Sequence, residues 1–167
     1  MKIIDTDIPD VKILEPKIYD DERGYFFETF NHNIFNEKVQ NINFVQDNES
    51  KSAKGTLRGL HYQKDLHSEI KLIRCIRGEI WDVIVDLREN SPTYLKWQSF
   101  IINSNNLQLI LIPPYMGNAY YVCSEQAVYH YKLAYDGDYI DADEQFSIKW
   151  NDEKINIKWL SNSPVLS

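Results

Sequence analysis

Residues 70–87 read IKLIRCIRGEIWDVIVDL. Two runs rich in Ile, Val and Leu, 70–76 and 79–87, meet at Gly78, a residue suited to a tight turn. Both runs read as β-strands. In the second, Ile80, Val83 and Val85 mix with Trp81 and Ile84, which predicts burial on both faces.

The same pattern continues on either side. The turn ENSPT at 89–93 is followed by apolar segments at 97–102, 107–112, 119–122 and 127–133. Short strands at intervals of roughly 8–12 residues mark a sandwich or a barrel. Upstream, 11–19 is β-rich but broken by Pro16, and 25–30 follows the turn signal DDERG. Residues 33–39 suit a short helix with an Asn cap ahead of it. A strand begins at 44–46, and another spans 55–62 with a glycine at each break. The polar tail, 138–159, carries Trp150 and Trp159, which are expected to pin it to the body. With no repeat or linker, residues 1–167 read as a single domain. Many short strands favour a double-sheet jelly roll, although composition and period do not separate it from other sandwiches.

The 167 residues are 43% hydrophobic and 13% aromatic, enough for a sizeable core. A net charge of -7 disfavours nucleic acid as a partner but permits a local basic pocket for a phosphorylated ligand. Cys75 and Cys123 lie in apolar runs and read as small core residues rather than a disulfide. The first residues, MKIIDTDIPD, do not resemble a signal peptide. No apolar run approaches the ~20 residues of a membrane helix. The expectation is a soluble, cytoplasmic chain with no membrane contact.

Among the four histidines, His61 is the most suggestive, in RGLHYQ with Arg58 three residues before it. On a regular strand the two would point to opposite faces, but Gly59 permits a bend. The alternative is a half-buried strand histidine. Lys71 opens a strand otherwise built of Ile, Leu and Cys, with Arg74 and Arg77 after it. A cation inside a barrel is costly unless it meets an anion; a rim cation in water is the plainer reading. Tyr131 could face the same interior, though eleven tyrosines make any single one uninformative. The chain has no GxGxxG, no GxxxxGK[ST], no GxSxG and no thiol-redox pattern.

Taken together, the segments are more specific. QDNES (46–50), KGTLRGLHYQ (54–63), KLIRCIRGEIWDVIVDLRENSPTY (71–94), LIPPYMGNAY (111–120), YHYK (129–132) and KWND (149–152) occur in this order. They resemble the dTDP-4-dehydrorhamnose 3,5-epimerase family of cupins over nearly the whole chain. The resemblance implies an all-β cupin double-stranded jelly-roll barrel with short peripheral helices, forming a homodimer. It implies a nucleotide-diphosphate 4-keto-6-deoxy sugar as substrate and no cofactor. His61 would be the general base, Lys71 would stabilise the enolate, and Tyr131 would be the acid on the opposite face. Arg58 would hold the diphosphate, and Gln46, Asn48 and Asn118 would line the pocket. Arg23 and Glu28, in ERGYFFE, would reach the ligand from the partner subunit.

These residue types suit that chemistry. A hydrogen next to a ketone is acidic because the carbanion spreads onto the carbonyl oxygen, so a histidine can remove it. The oxyanion that develops needs an aimed cation, and inversion needs a second proton source across the sugar. A metal is not expected. Metal-binding cupins use an HxH pair, a following Glu and a late His, whereas this chain has His61-Tyr62-Gln63 and Asn118. His67 and Glu69 could ligate, but three well-placed ligands are not evident.

Three positions depart from the family pattern. Asn118 replaces a site-lining histidine, and an amide cannot take up a proton at neutral pH. Residues 133–149 form a longer segment than in the dTDP-hexose enzymes, near the expected position of the base. These two departures favour a GDP-4-keto-6-deoxy-heptose of capsule synthesis over dTDP-4-keto-6-deoxyglucose. In the family a late PxLSxKD-like segment carries the aspartate that orients the histidine. Residues 164–167 match its start, which implies either a truncated chain or Asp82 in that role. The rival activities are a C3-only epimerase, a 3,4-ketoisomerase and a non-catalytic sugar-nucleotide binding module.

Overall fold

The computed structural model of the chain describes residues 1–63, 68–136 and 145–166. The strands are β1 (Lys2–Asp5), β2 (Lys12–Glu15), β3 (Tyr19–Asp21), β4 (Gly24–Phe26), β5 (Gln46–Ala53), β6 (Thr56–Tyr62) and β7 (Ile70–Arg77). They continue as β8 (Glu79–Asp86), β9 (Trp97–Asn103), β10 (Leu109–Ile112), β11 (Met116–Val122), β12 (Gln126–Ala134), β13 (Phe146–Ser147) and β14 (Val165–Leu166). Among the described residues one helix, α1 (His32–Lys38), stands with them, and the Asn31 side chain caps it by accepting from the Ile34 N–H at 3.2 Å. Among the described residues no helix is long and apolar enough to cross a membrane.

Two sheets result. One runs β1-β2-β10-β7-β12-β5, and the other β13-β6-β11-β8-β9, with β14 parallel to β6. All other strand pairs among the described residues are antiparallel, so this is the expected double-sheet jelly roll. The hairpin of β3 and β4 stands apart from both sheets.

Side chains alternate across each strand and so sort into three apolar layers. Ile73, Cys75, Ile80, Ile84, Ile110 and Ile112 meet between the sheets. Leu72 and Leu111 face outward instead, beneath Phe35 of α1. On the far side Trp81, Val83 and Val85 pack under Ile155 and Ile157 of the tail. Strand β8 is therefore apolar on both faces, as its composition predicted. The tail is pinned where Trp159 Nε1 donates to the Trp150 carbonyl at 2.6 Å and its ring meets Trp81 at 5.4 Å. Cys75 is buried and Cys123 half-buried, and both are free thiols. Burial pushes the Cys75 thiol up to about 11.

The turn after β8 is organised by a buried charge. Asp86 accepts from Arg88 Nε at 3.0 Å and Nη2 at 2.9 Å, and from the Ser91 and Thr93 hydroxyls at 2.6 Å each. Burial opposes ionisation of Asp86, but these donors outweigh it and hold its pKa at about 2. Because this lies below the unfolded value, the stabilisation is complete above about pH 4 and is lost as pH falls towards 2. It amounts to about 2 kcal/mol. Asp86→Asn is expected to lower denaturant stability at pH 7 by at least that amount and to flatten the loss between pH 4 and 2. Parallel denaturation curves at pH 7, 4 and 2 check this.

Candidate active site

Polar residues interrupt the apolar layer between the sheets at one cavity of about 200 Å³. Its walls include Ser50, Arg58, His61, Lys71, Asn118 and Tyr131. Three of these are the residues expected to be catalytic.

Register explains how they meet. Directly opposed residues of an antiparallel pair share a face. Tyr131 of β12 lies opposite Ile73 of β7 and Asn48 of β5, and Lys71 lies opposite Leu133 and Ile112. Lys71 and Tyr131 thus join the inward row that carries Ile73. Gln46, Asn48, Ser50 and Ser52 form the matching inward row of β5, whereas Asp47, Glu49 and Lys51 are exposed.

Arg58 and His61 come from the facing sheet, and a bulge places them on the same side. His61 is opposite Asn118 and Arg58 is opposite Tyr120, so three steps on β6 match two on β11. The extra residue is accommodated at Gly59, where φ is +118°. A Cβ at this position would lie 2.5 Å from both the Ala119 Cβ and the Asn118 carbonyl oxygen.

The electrostatics favour a neutral base. Burial, then the charges of Lys71 and Arg58, lower the His61 pKa, and Glu69 opposes them. The Lys71 ammonium is 2.7 Å from Glu69 Oε1 and 6.0 Å from the centroid of the Tyr131 ring. Arg58 Nε donates to Ser52 Oγ at 2.9 Å. Gln46 Nε2 donates to Asn48 Oδ1 at 3.1 Å, and Tyr135 OH donates to Gln46 Oε1 at 2.6 Å.

Asn118 has a structural partner as well as a place on the wall. Its Nδ2 donates to both oxygens of Asp82 at 3.1 Å and to the Val83 carbonyl at 3.2 Å. Its Oδ1 accepts from Tyr129 OH at 3.2 Å. Asp82 is fully buried, and burial raises its pKa well above the carboxylate range. Asp82 therefore anchors Asn118. It does not orient His61, whose ring has no hydrogen-bond partner among the described residues; this corrects the expectation from sequence.

Arg23 and Glu28 lie away from the cavity. Arg23 is exposed at the β3–β4 turn and pairs with Asp21 at 2.6 Å, and Glu28 accepts from Asn31 Nδ2 at 3.0 Å. His67 and residues 137–144 of the long segment lie outside the described residues. Among the described residues no group of three His, Cys, Asp or Glu could hold a metal. A larger cleft of about 550 Å³ beside Tyr62, Tyr94 and Tyr115 also borders Arg88, which is already committed to Asp86.

Sequence reasoning missed Tyr129 and Ser50 as wall residues, and Glu69 as the partner of Lys71. Alternation could have found all three, because each is two residues from a residue already singled out.

A family model described as dTDP-4-dehydrorhamnose 3,5-epimerase matches residues 5–167. The chain is 44% identical over 168 residues to the dTDP-4-dehydrorhamnose 3,5-epimerase of Shigella flexneri, covering all of this chain and 91% of that protein. It resembles the crystal structure of a dTDP-6-deoxy-D-glucose-3,5-epimerase from Legionella pneumophila in complex with dTDP-4-keto-L-rhamnose. That match has a TM-score of 0.91 and 41% identity, covering 99% of this chain and 87% of the other. The Bacillus anthracis dTDP-4-dehydrorhamnose 3,5-epimerase, crystallised with TDP and pyrophosphate, gives a TM-score of 0.93 at 38% identity, covering 99% and 94%.

Proposed function

The chain belongs to the dTDP-4-dehydrorhamnose 3,5-epimerase family, and from that premise we propose that it inverts C3 and C5 of a dTDP-4-keto-6-deoxyhexose. The observation that carries the reading is the meeting of His61, Lys71 and Tyr131 in one cavity, with Arg58 on its wall.

The neutral His61 imidazole takes the proton from the carbon beside the C4 ketone. The C–H electron pair becomes part of the enolate, and the negative charge on the C4 oxygen is met by the Lys71 ammonium. Tyr131 returns a proton to the other face, which inverts the carbon. The imidazolium and phenolate left behind reset by exchange with water. Arg58 offsets the diphosphate and Asn118 contacts the substrate from the wall, with Gln46 and Asn48 assigned to the substrate from the inward row of β5.

Thymidine diphosphate is favoured because relatives at about 40% identity are named for it. A GDP-4-keto-6-deoxy-heptose is the alternative raised by Asn118 and residues 133–149, and Asn118 likewise keeps a C3-only epimerase in play. The enzyme acts as a single domain and a homodimer in the cytoplasm, in the biosynthesis of deoxysugars. Exposed Tyr25 and Phe26 on the β3–β4 hairpin support its docking on a second copy, carrying Arg23 and Glu28 to that copy's cavity.

Deuterium uptake in D2O, followed by NMR on both sugars, is the test. Label at C3 and C5 of the dTDP sugar is expected. Label at C3 alone would give the single-carbon reading, and label only in the GDP-heptose would change the nucleotide. No label in either would overturn the proposal. In the same assay Tyr131→Phe should lower inversion about 10²-fold while retaining most exchange at the first carbon. Equal losses would make Tyr131 a positioning residue.

A further inference from the structure

We propose that Glu69 is the positioning residue for Lys71, holding its ammonium as a charged, aimed donor at the cavity wall before substrate arrives. The inference rests on the epimerase reading above and adds a residue to it.

The geometry is direct. Glu69 Oε1 is 2.7 Å from Lys71 Nζ, with the two side chains only 6% and 16% exposed. Lys71 lines the cavity. The carboxylate is thus a nearly buried partner of an ammonium that borders the cavity. A buried carboxylate and a buried ammonium are each unfavourable alone, and each satisfies the other.

The neighbours of Lys71 make this partner necessary. Arg58 and His61 of β6 border the same cavity, as do Tyr129 and Tyr131 of β12 and Asn118 of β11. Asp82 of β8 is the other buried carboxyl of this region, and both its oxygens are taken by Asn118. Without Glu69, Lys71 would face a guanidinium and an imidazole with no other carboxylate paired to it among the described residues. It would then swing out of line. An oxyanion is stabilised most by a donor that does not reorganise when the charge develops, and a fixed ion pair meets that condition. The same carboxylate also moderates the two cations acting on His61.

The experiment uses Glu69→Gln, with Glu69→Asp as the conservative control, and two readouts. Trace acetylation followed by peptide mass mapping measures the reactivity of Lys71 against the other lysines in the free protein. Lys71 is expected to react at least about tenfold faster in Glu69→Gln, with the other lysines unchanged and the aspartate variant in between. Solvent exchange into the dTDP-4-keto sugar is expected to lose about 10–100-fold in kcat with KM changed less than about threefold. The acid limb of kcat/KM should move to lower pH, because the anion that opposes Lys71 and Arg58 at His61 has gone. Unchanged Lys71 reactivity would overturn the proposal, as would a kcat loss without movement of the limb. If the unaltered protein exchanges neither sugar while Lys71 still responds to Glu69→Gln, the ion pair stands and the epimerase reading fails.

Discussion

Replacing His61 with alanine is expected to lower solvent exchange at the sugar carbons by about 10³–10⁴-fold. Binding of dTDP should stay within about threefold, because Arg58 and the walls from β5 are left in place. The imidazole is inward-facing and its pKa is lowered by burial, Lys71 and Arg58. It is therefore a neutral acceptor at pH 7, and the acid limb of kcat/KM in the unaltered enzyme should lie below the ordinary histidine value. Exchange rates by NMR and nucleotide affinity by calorimetry check the two halves. Exchange retained in His61→Ala would remove it as the base.

Lys71→Met is expected to have the next largest effect. It removes the charge that meets the enolate and should lower kcat by about 10²–10³-fold. It also strands the Glu69 carboxylate, which is nearly buried, and should cost about 3–5 kcal/mol of stability. The two losses can be separated. Lys71→Met with Glu69→Gln leaves no charge behind and should recover most of the stability but none of the rate. Denaturant unfolding and single-turnover exchange on the three variants close the cycle. Recovery of rate in the double variant would mean that Lys71 acts only through folding.

The fold was most legible where both faces of a strand are apolar. Strands β7 and β8 stand within one residue of their expected bounds. Strand β5 was visible only at its start, because its inner row faces a polar cavity and its outer row faces water. QDNESKSA carries no apolar alternation to read. Strand β1 was missed altogether, and 11–19 proved to be two strands separated at Pro16. Helix α1 begins one residue early, with Asn31 as its cap. Of the site, His61, Lys71, Tyr131 and Arg58 were legible from motif order, and they do share a cavity. The Glu69 partnership was not read, although Glu69 stands two residues before Lys71 and alternation puts both on one face. Nor was the use of Asp82 to hold Asn118, a link between neighbouring strands 36 residues apart.

The bulge at Gly59 also bears on how such chains can recombine. The space that a side chain at 59 would need is occupied by Ala119 on β11. Strands β6 and β11 are thus a matched set, although more than fifty residues of sequence separate them. A crossover between homologues that exchanged one strand without the other would risk restoring regular pairing, turning the base out of the barrel while every motif remained intact. Chimeras should inherit the two strands together, and a lineage that enlarges residue 119 has little freedom to keep its histidine facing the sugar.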